Sequence, residues 1–524
     1  MNGSRARGAL RFLALVLLVS IFVSPVPAKT AEKPDILYSE AVEAHWKWNL
    51  DKAIRLYTRT LELDSSRAEA FFNRGVAYRS KGLEKRALAD FTKAVELRPD
   101  DISYRYAKGL EHLRQGDPKS ADQEMNRILA AEPDHVGALR GRGTARLRLG
   151  KPEQALEDLD KAVRLYPADS EAYYYRGLAR IDLDRVEAAK SDFEKTVELN
   201  ANHADAWFKL GNLYFDEGKF EKAEAHYDRA INLDPSFASA LNNRGWARAA
   251  QGELGTALTD FNRALELDPA HGPALANRAW VYDKLGKDDR ALADYQKLLE
   301  VNGPDPEVYI ARAAIMLDAH DYTEAVQEVN KALEHKPDHP KALEIRGKAR
   351  LAMKQYAGAA DDLERTLKIS PENAQARYLL GKALAGRGRH DQAFAEMEQA
   401  VRSSSQDATV DMFYDLGVAA LMIGDNRTAA ENFTRVVERE PEHALALANR
   451  GVAFKNQGRP DLAIDDFKAA LPFLKESRRI KHVSRLLREA EETIGTARQP
   501  AGPVRLRTNA ENTVPQTPPR PRFW

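Results

Sequence analysis

An alanine recurs thirteen times along the chain, eleven of them at a strict interval of 34 residues from Ala53 to Ala393, then at Ala429 and Ala463 after a slip of two. A period of that length admits few folds. One such segment is too short to bury its own apolar side, so copies must stack on one another and share a core. Twelve residues before each alanine stands a second small residue, usually glycine (Gly75, Gly211, Gly417), with alanine at Ala41, Ala279 and Ala313.

With that small residue counted as position 8, the repeats begin at Pro34 and run in register to about Asp407, and two more follow the insertion. Positions 4, 8 and 11 share one helical face and positions 20, 24 and 27 another, as in Trp207, Gly211, Tyr214 and Ala223, Tyr227, Ala230. Glycine at position 15 (Gly82, Gly218, Gly424) separates the two helices and proline at position 32 (Pro99, Pro235, Pro441) ends the second. Small residues at 8 and 20 are expected to touch across the hairpin.

These positions resemble the tetratricopeptide repeat, whose small residues stand at 8, 20 and 27, aromatics near 4, 11 and 24, and proline at 32. The resemblance covers roughly residues 34–473. It implies an all-α fold, a right-handed superhelical solenoid of about thirteen 34-residue helical hairpins with a concave and a convex side. Arginine replaces the usual residue at position 11 in four repeats (Arg146, Arg180, Arg248, Arg350), which are expected to be looser. The insertion at 403–407 is expected to give the weakest interface between neighbours.

Residues 1–28 carry three arginines, an apolar run from Phe12 to Val23 and Val26-Pro27-Ala28, and read as a secretory signal peptide cut after Ala28, with an uncleaved anchor as the other reading. Residues 474–495 place Ile480, Val483, Leu486, Leu487, Ala490 and Ile494 on one side and Arg478, Arg479, Lys481, Arg485 and Arg488 on the other. This pattern is expected to make a C-terminal cap helix over the last repeat; a basic membrane-surface helix is the alternative. Residues 496–524 are rich in proline and arginine and are expected to stay disordered, or to serve as a short docking motif.

The chain has no cysteine, hence no disulfide and no thiol chemistry. Its net charge is zero, but +3 lies in residues 1–28, +2 in 474–495 and +4 beyond, which leaves the repeats near −9. An acidic body of this kind excludes nucleic acid as the ligand. Arginine at position 7 (Arg74, Arg142, Arg176, Arg244, Arg278, Arg312, Arg346, Arg450) is matched in the same repeat by an acid at position 23 (Asp90, Asp158, Asp192, Asp260, Asp294, Glu328, Asp362, Asp466). Ion pairs inside each repeat, and not a basic ladder for an anion, are therefore expected. Position 34 holds His135, His203, His271 and His339, each in a turn and too far apart to converge on one ion. No metal, no cofactor and no catalytic residue is expected, because no motif for phosphate, nucleophile or metal appears and no stretch of domain size is left over.

In the family, the side of the first helix bearing positions 5, 9 and 12 lines the concave groove. Here that side offers Tyr174, Phe208, Phe215, Trp246 and Trp280 as aromatic anchors and Asn212, Asn243 and Asn277 as amides that both donate and accept. The carboxylate clamp of chaperone-binding members is matched only at its two asparagines, since its run reads Phe208, Asn212, Asn243, Pro273 and Asn277. The expected function is a non-catalytic scaffold or adaptor, periplasmic or secreted, whose groove holds a protein or peptide segment. Two alternatives stand beside it: an accessory scaffold of cell-envelope polysaccharide export or wall remodelling, and a regulatory subunit docking an enzyme through its tail. Membrane contact is expected only through an uncleaved signal or the basic cap helix.

Overall fold

The computed structural model describes residues 33–404 and 407–497. The leader-like segment 1–28, the insertion residues Ser405 and Gln406, and the tail beyond 497 lie outside the described residues. Helices begin where the repeat pattern puts them, the first of each repeat at position 1 and the second at position 17. Thus Pro34–Trp46 and Leu50–Leu63 form the first hairpin, Ala204–Asp216 and Phe220–Leu233 the sixth, and Ala444–Asn456 and Pro460–Ala470 the thirteenth. The chain divides into two compact units between Ala247 and Arg248. Within each, the second helix of a repeat also packs on the first helix of the next.

The turns are set by local chemistry. The side chain at position 34 caps the following first helix by accepting from the N–H three residues on. His135 takes it from Ala138 at 3.0 Å, His203 from Ala206 at 3.2 Å, His271 from Ala274 at 3.1 Å and His443 from Ala446 at 3.1 Å. The recurrent histidines are therefore helix caps. Their rings also lean on the aromatic at position 5 of the same repeat, at 5.4 Å for Tyr106 and His135 and 5.1 Å for Tyr414 and His443. Position 15 takes a left-handed backbone (Gly218 φ 72°, Gly424 φ 83°), and Trp48, Asp184, His320 and Lys354 hold that slot at φ 56–70° without glycine.

Inside each hairpin the contact differs in detail from the expected meeting of 8 with 20. A Cβ on Gly211 would lie 2.5 Å from the Tyr227 ring, and one on Gly177 2.7 Å from Phe193, so the glycine makes room for the ring at position 24. That ring is the centre of the repeat's core: Phe91, Phe193, Phe261, Phe433 and Phe467 are all fully buried. The alanine at position 20 approaches chiefly through its carbonyl, as Ala87 does beneath Gly75 at 3.3 Å.

Of the eight expected ion pairs between positions 7 and 23, six are two-pronged, and Arg312 meets Glu328 through one nitrogen at 2.9 Å. Arg142 reaches Asp158 at 2.6 and 2.9 Å, Arg278 reaches Asp294 at 2.7 Å twice, and Arg450 reaches Asp466 at 2.7 and 2.9 Å. The same guanidinium extends one repeat backwards to a polar residue at position 25, which the sequence reading did not single out. Examples are Arg142 to Asn126 at 2.7 Å, Arg176 to Asp160 at 2.9 Å, Arg244 to Asp228 at 2.7 Å and Arg346 to Asn330 at 2.7 Å. Each arginine thus ties two neighbouring repeats together.

Arginine at position 11 does not loosen its repeat. Arg146, Arg180, Arg248 and Arg350 add a second guanidinium to the acid at position 23, at 2.8, 2.7, 2.8 and 2.6 Å. Burial still raises the Asp192 carboxyl above its ordinary value, against the pull of Arg176 and Arg180. Leu380, the exception at position 7, leaves Glu396 to Arg377 at position 4, 3.0 Å away.

Apolar packing is continuous on the two sides of the insertion. Helix His390–Ser404 runs on before Val410–Ile423 begins, and one apolar cluster continues through Ala400, Val401, Ala408, Met412 and Leu416. Beyond the thirteenth repeat, helix Ser477–Ala497 lays Val483 and Ala490, both buried, with Ile480, Leu486 and Leu487 against Phe467 and Ala470. Lys455 to Glu489 and Lys468 to Glu491 hold its flank.

Candidate binding pocket

The sixth and seventh repeats bring four of the candidate residues together. Tyr227, buried at position 24 against Gly211, donates its phenol hydrogen to Asn212 Oδ1 at 2.8 Å. The Asn243 amide, from the next repeat, donates to the same oxygen at 2.9 Å, and buried Asn242 donates to Asn243 Oδ1 at 2.9 Å. This chain of amides fixes Asn212 so that its own NH2 has no partner among the described residues. Burial pushes the Tyr227 phenol well above its usual range, so it remains a neutral donor.

Around these groups lies a cleft of about 230 Å³ lined by Asn212, Phe215, Asp216, Tyr227, Asn243 and Trp246. Phe215 is braced by Phe220 at 5.2 Å, and both Phe215 and Trp246 are half-buried, each with part of a ring left to solvent. The floor is polar and the walls are aromatic, a combination suited to gripping a chain through its amides while burying one side chain.

The remaining candidates sit elsewhere. Tyr174 is half-buried among Phe193, Tyr175 and His203, the last at 4.5 Å, and Phe208 packs between Tyr227 at 5.9 Å and Phe237 at 4.8 Å. Both fill the space between helices and neither lines the cleft. Asn277 and Trp280 lie on helix Gly272–Lys284 of the other compact unit, half-buried, with Lys284 Nζ 5.7 Å from the centroid of the Trp280 ring.

A second cleft, of about 340 Å³, uses the corresponding positions of the first repeat: Val42, His45, Trp46, Trp48 and Tyr57, with Asn73 from the second. The sequence reading missed it. Trp46 is 85% and Trp48 71% exposed, and Trp48 is one of the residues in the left-handed slot. The signal that marks both clefts is tyrosine at position 24, which occurs only in the first, sixth and eighth repeats, at Tyr57, Tyr227 and Tyr295. A phenylalanine there ends in the core, whereas the tyrosine hydroxyl emerges into the cleft and needs a polar partner: Asn212 in the sixth repeat, His45 Nδ1 at 3.5 Å in the first. Burial lowers the His45 pKa below its ordinary value.

No group of three potential metal ligands converges among the described residues, and no helix among them is long and apolar enough to cross a membrane. Tetratricopeptide-repeat family models match residues 68–101, 204–237 and 238–271, residues 106–170, 141–204, 346–408 and 414–477, and residues 261–293. Together these matches span more than half of the chain. It is a tetratricopeptide-repeat protein. Solved structures similar to it include MamA (32% identity over 31% of this chain and 94% of that one, TM-score 0.29) and YrrB, titled a TPR protein with an unusual peptide-binding site (28%, 35%, 95%, 0.29). The pilF protein of Pseudomonas aeruginosa is 22% identical over 43% of this chain and 98% of its own, with a TM-score of 0.37. A search of the curated proteins finds no match. Tetratricopeptide repeats are protein-interaction scaffolds, and this array has their construction.

Proposed function

We propose that this chain is a non-catalytic scaffold that holds an extended segment of another protein at the face bearing Asn212, Phe215, Asn243 and Trp246. One observation carries the proposal: Asn212 is locked by two hydrogen bonds with its amide donor unspent, between aromatic walls that remain partly open. A backbone carbonyl of a bound strand would complete that amide, and an apolar or aromatic side chain would cover Phe215 and Trp246. A photoactivatable benzoylphenylalanine at position 215 tests this in the living source. Polypeptide adducts are expected from position 215 and not from Leu233, an outward-facing site 39% exposed. Equal adducts from both positions, or none from 215, would refute the pocket as the binding face.

The scaffold is proposed to act outside the cytoplasm. Support comes from the basic start, the short apolar run and Val26-Pro27-Ala28 in residues 1–28. Amino-terminal sequencing of the protein recovered from its source should begin at Lys29. A retained Met1 or Asn2 on protein recovered from the cytoplasm would sink the export reading.

A further inference from the structure

Resting on that reading, we propose that the cleft of the sixth and seventh repeats recognises a cationic side chain, a lysine or arginine within the bound segment, held by Asp216 between Phe215 and Trp246. Asp216 is the last residue of helix Ala204–Asp216, is exposed, lines the cleft, and has no ion-pair or hydrogen-bond partner among the described residues. Asp182 and Asp318 hold the same position in their repeats, but only Asp216 lines a cleft of this kind. Its neighbour Glu217 is held down to about 2 by hydrogen bonds from Lys190 and Lys219, at 2.6 and 2.7 Å, so those lysines are committed. Arg244, on the far side, is tied to Asp228 at 2.7 Å.

The surroundings have the matching sign. Between residues 170 and 247, 14 acidic residues face 10 basic ones, so the segment that carries the cleft is net negative. Phe215 and Trp246 supply ring faces for a cation, with indole the strongest such surface. The carboxylate and the rings answer the charge, and the free Asn212 amide answers the carbonyl of the same residue. An acidic or neutral side chain at that place would leave Asp216 repelled or unpaired, so the cleft discriminates by charge.

Peptide binding to the full chain, read by fluorescence anisotropy, provides the test. The probes are three labelled peptides of sequence Ser-Leu-Ser-X-Ser-Leu-Ser, with arginine, glutamine or glutamate at X. The arginine peptide should bind about tenfold more tightly than the glutamine peptide, and the glutamate peptide more weakly than either. Asp216→Asn should abolish the preference for arginine over glutamine, and Trp246→Leu should weaken all three. An arginine peptide bound no better than glutamine, including by not binding at all, overturns the charge recognition; so does an arginine preference that survives Asp216→Asn. Adducts from position 215 in the presence of either failure would leave the scaffold reading standing, which separates the two claims.

Discussion

Asp362→Ala is expected to destabilise the tenth repeat by about 3–5 kcal/mol, the cost of leaving buried cationic groups without their counter-charge. Asp362 is 2% exposed and accepts from Arg346 at 2.7 and 3.0 Å and from Arg350 at 2.6 Å. Removing it strands two guanidinium groups, each with most of its side chain out of water. Arg346 also reaches Asn330 of the preceding repeat at 2.7 Å, so the loss spreads to a repeat interface and not only to one hairpin. Asp362→Asn should recover little, since it restores an acceptor but not a charge. The chain itself shows the neutral alternative: position 7 is Leu210 or Leu416 where position 23 is His226 or Asn432. Converting Arg346, Arg350 and Asp362 together to leucine, tyrosine and asparagine should therefore cost far less than the single change. Hydrogen exchange in helix Tyr356–Ile369 reads the local stability in an array that need not unfold as one unit. A single substitution costing under about 1 kcal/mol would mean that the pair is incidental.

Much of this architecture was legible because it repeats. An alanine every 34 residues fixed the helix starts, and the covariation of arginine at 7 with an acid at 23 exposed the ion pairs without coordinates. What stayed hidden depends on side-chain reach. The arginine fork spans to position 25 of the preceding repeat, and nothing in the local pattern measures that distance. Arg146 and Arg350 looked like faults at an aromatic slot, yet they are long enough to reach Asp158 and Asp362. Glycine at position 8 looked paired with the alanine at 20 because both are small, whereas its space is taken by the ring at 24. The lapse of the period at the insertion offered no sign that Ala408 and Met412 continue the apolar cluster on its far side.

The candidate pocket was legible in its amides and in Phe215 and Trp246, which fall on adjacent slots of neighbouring repeats. Tyr174 and Phe208 occupy the aromatic slot at position 5, where a ring can turn either outward or towards position 34; here His203 and Phe237 supply the partners that draw them in. The first-repeat cleft escaped notice because Trp46 ends the first helix away from the signature positions and Trp48 takes the slot at position 15 where glycine usually stands. The single exchange of phenylalanine for tyrosine at position 24 was the available clue.

The double replacement Phe215→Ala, Trp246→Ala bears most directly on the claim that this chain is a scaffold working through that face. Two half-buried aromatic rings at a binding surface contribute about 2–4 kcal/mol together, so affinity for the protein captured by the wild-type chain should fall by roughly 30-fold to 1,000-fold. Helical content and the urea transition should be retained, because the ring at the centre of the hairpin is at position 24 and not at position 9 or 12. Capture measured by calorimetry, with circular dichroism on the same samples, settles the matter. Weakened binding by a folded protein is the predicted result. Undiminished binding by the double variant, or binding lost only together with the fold, would contradict the account.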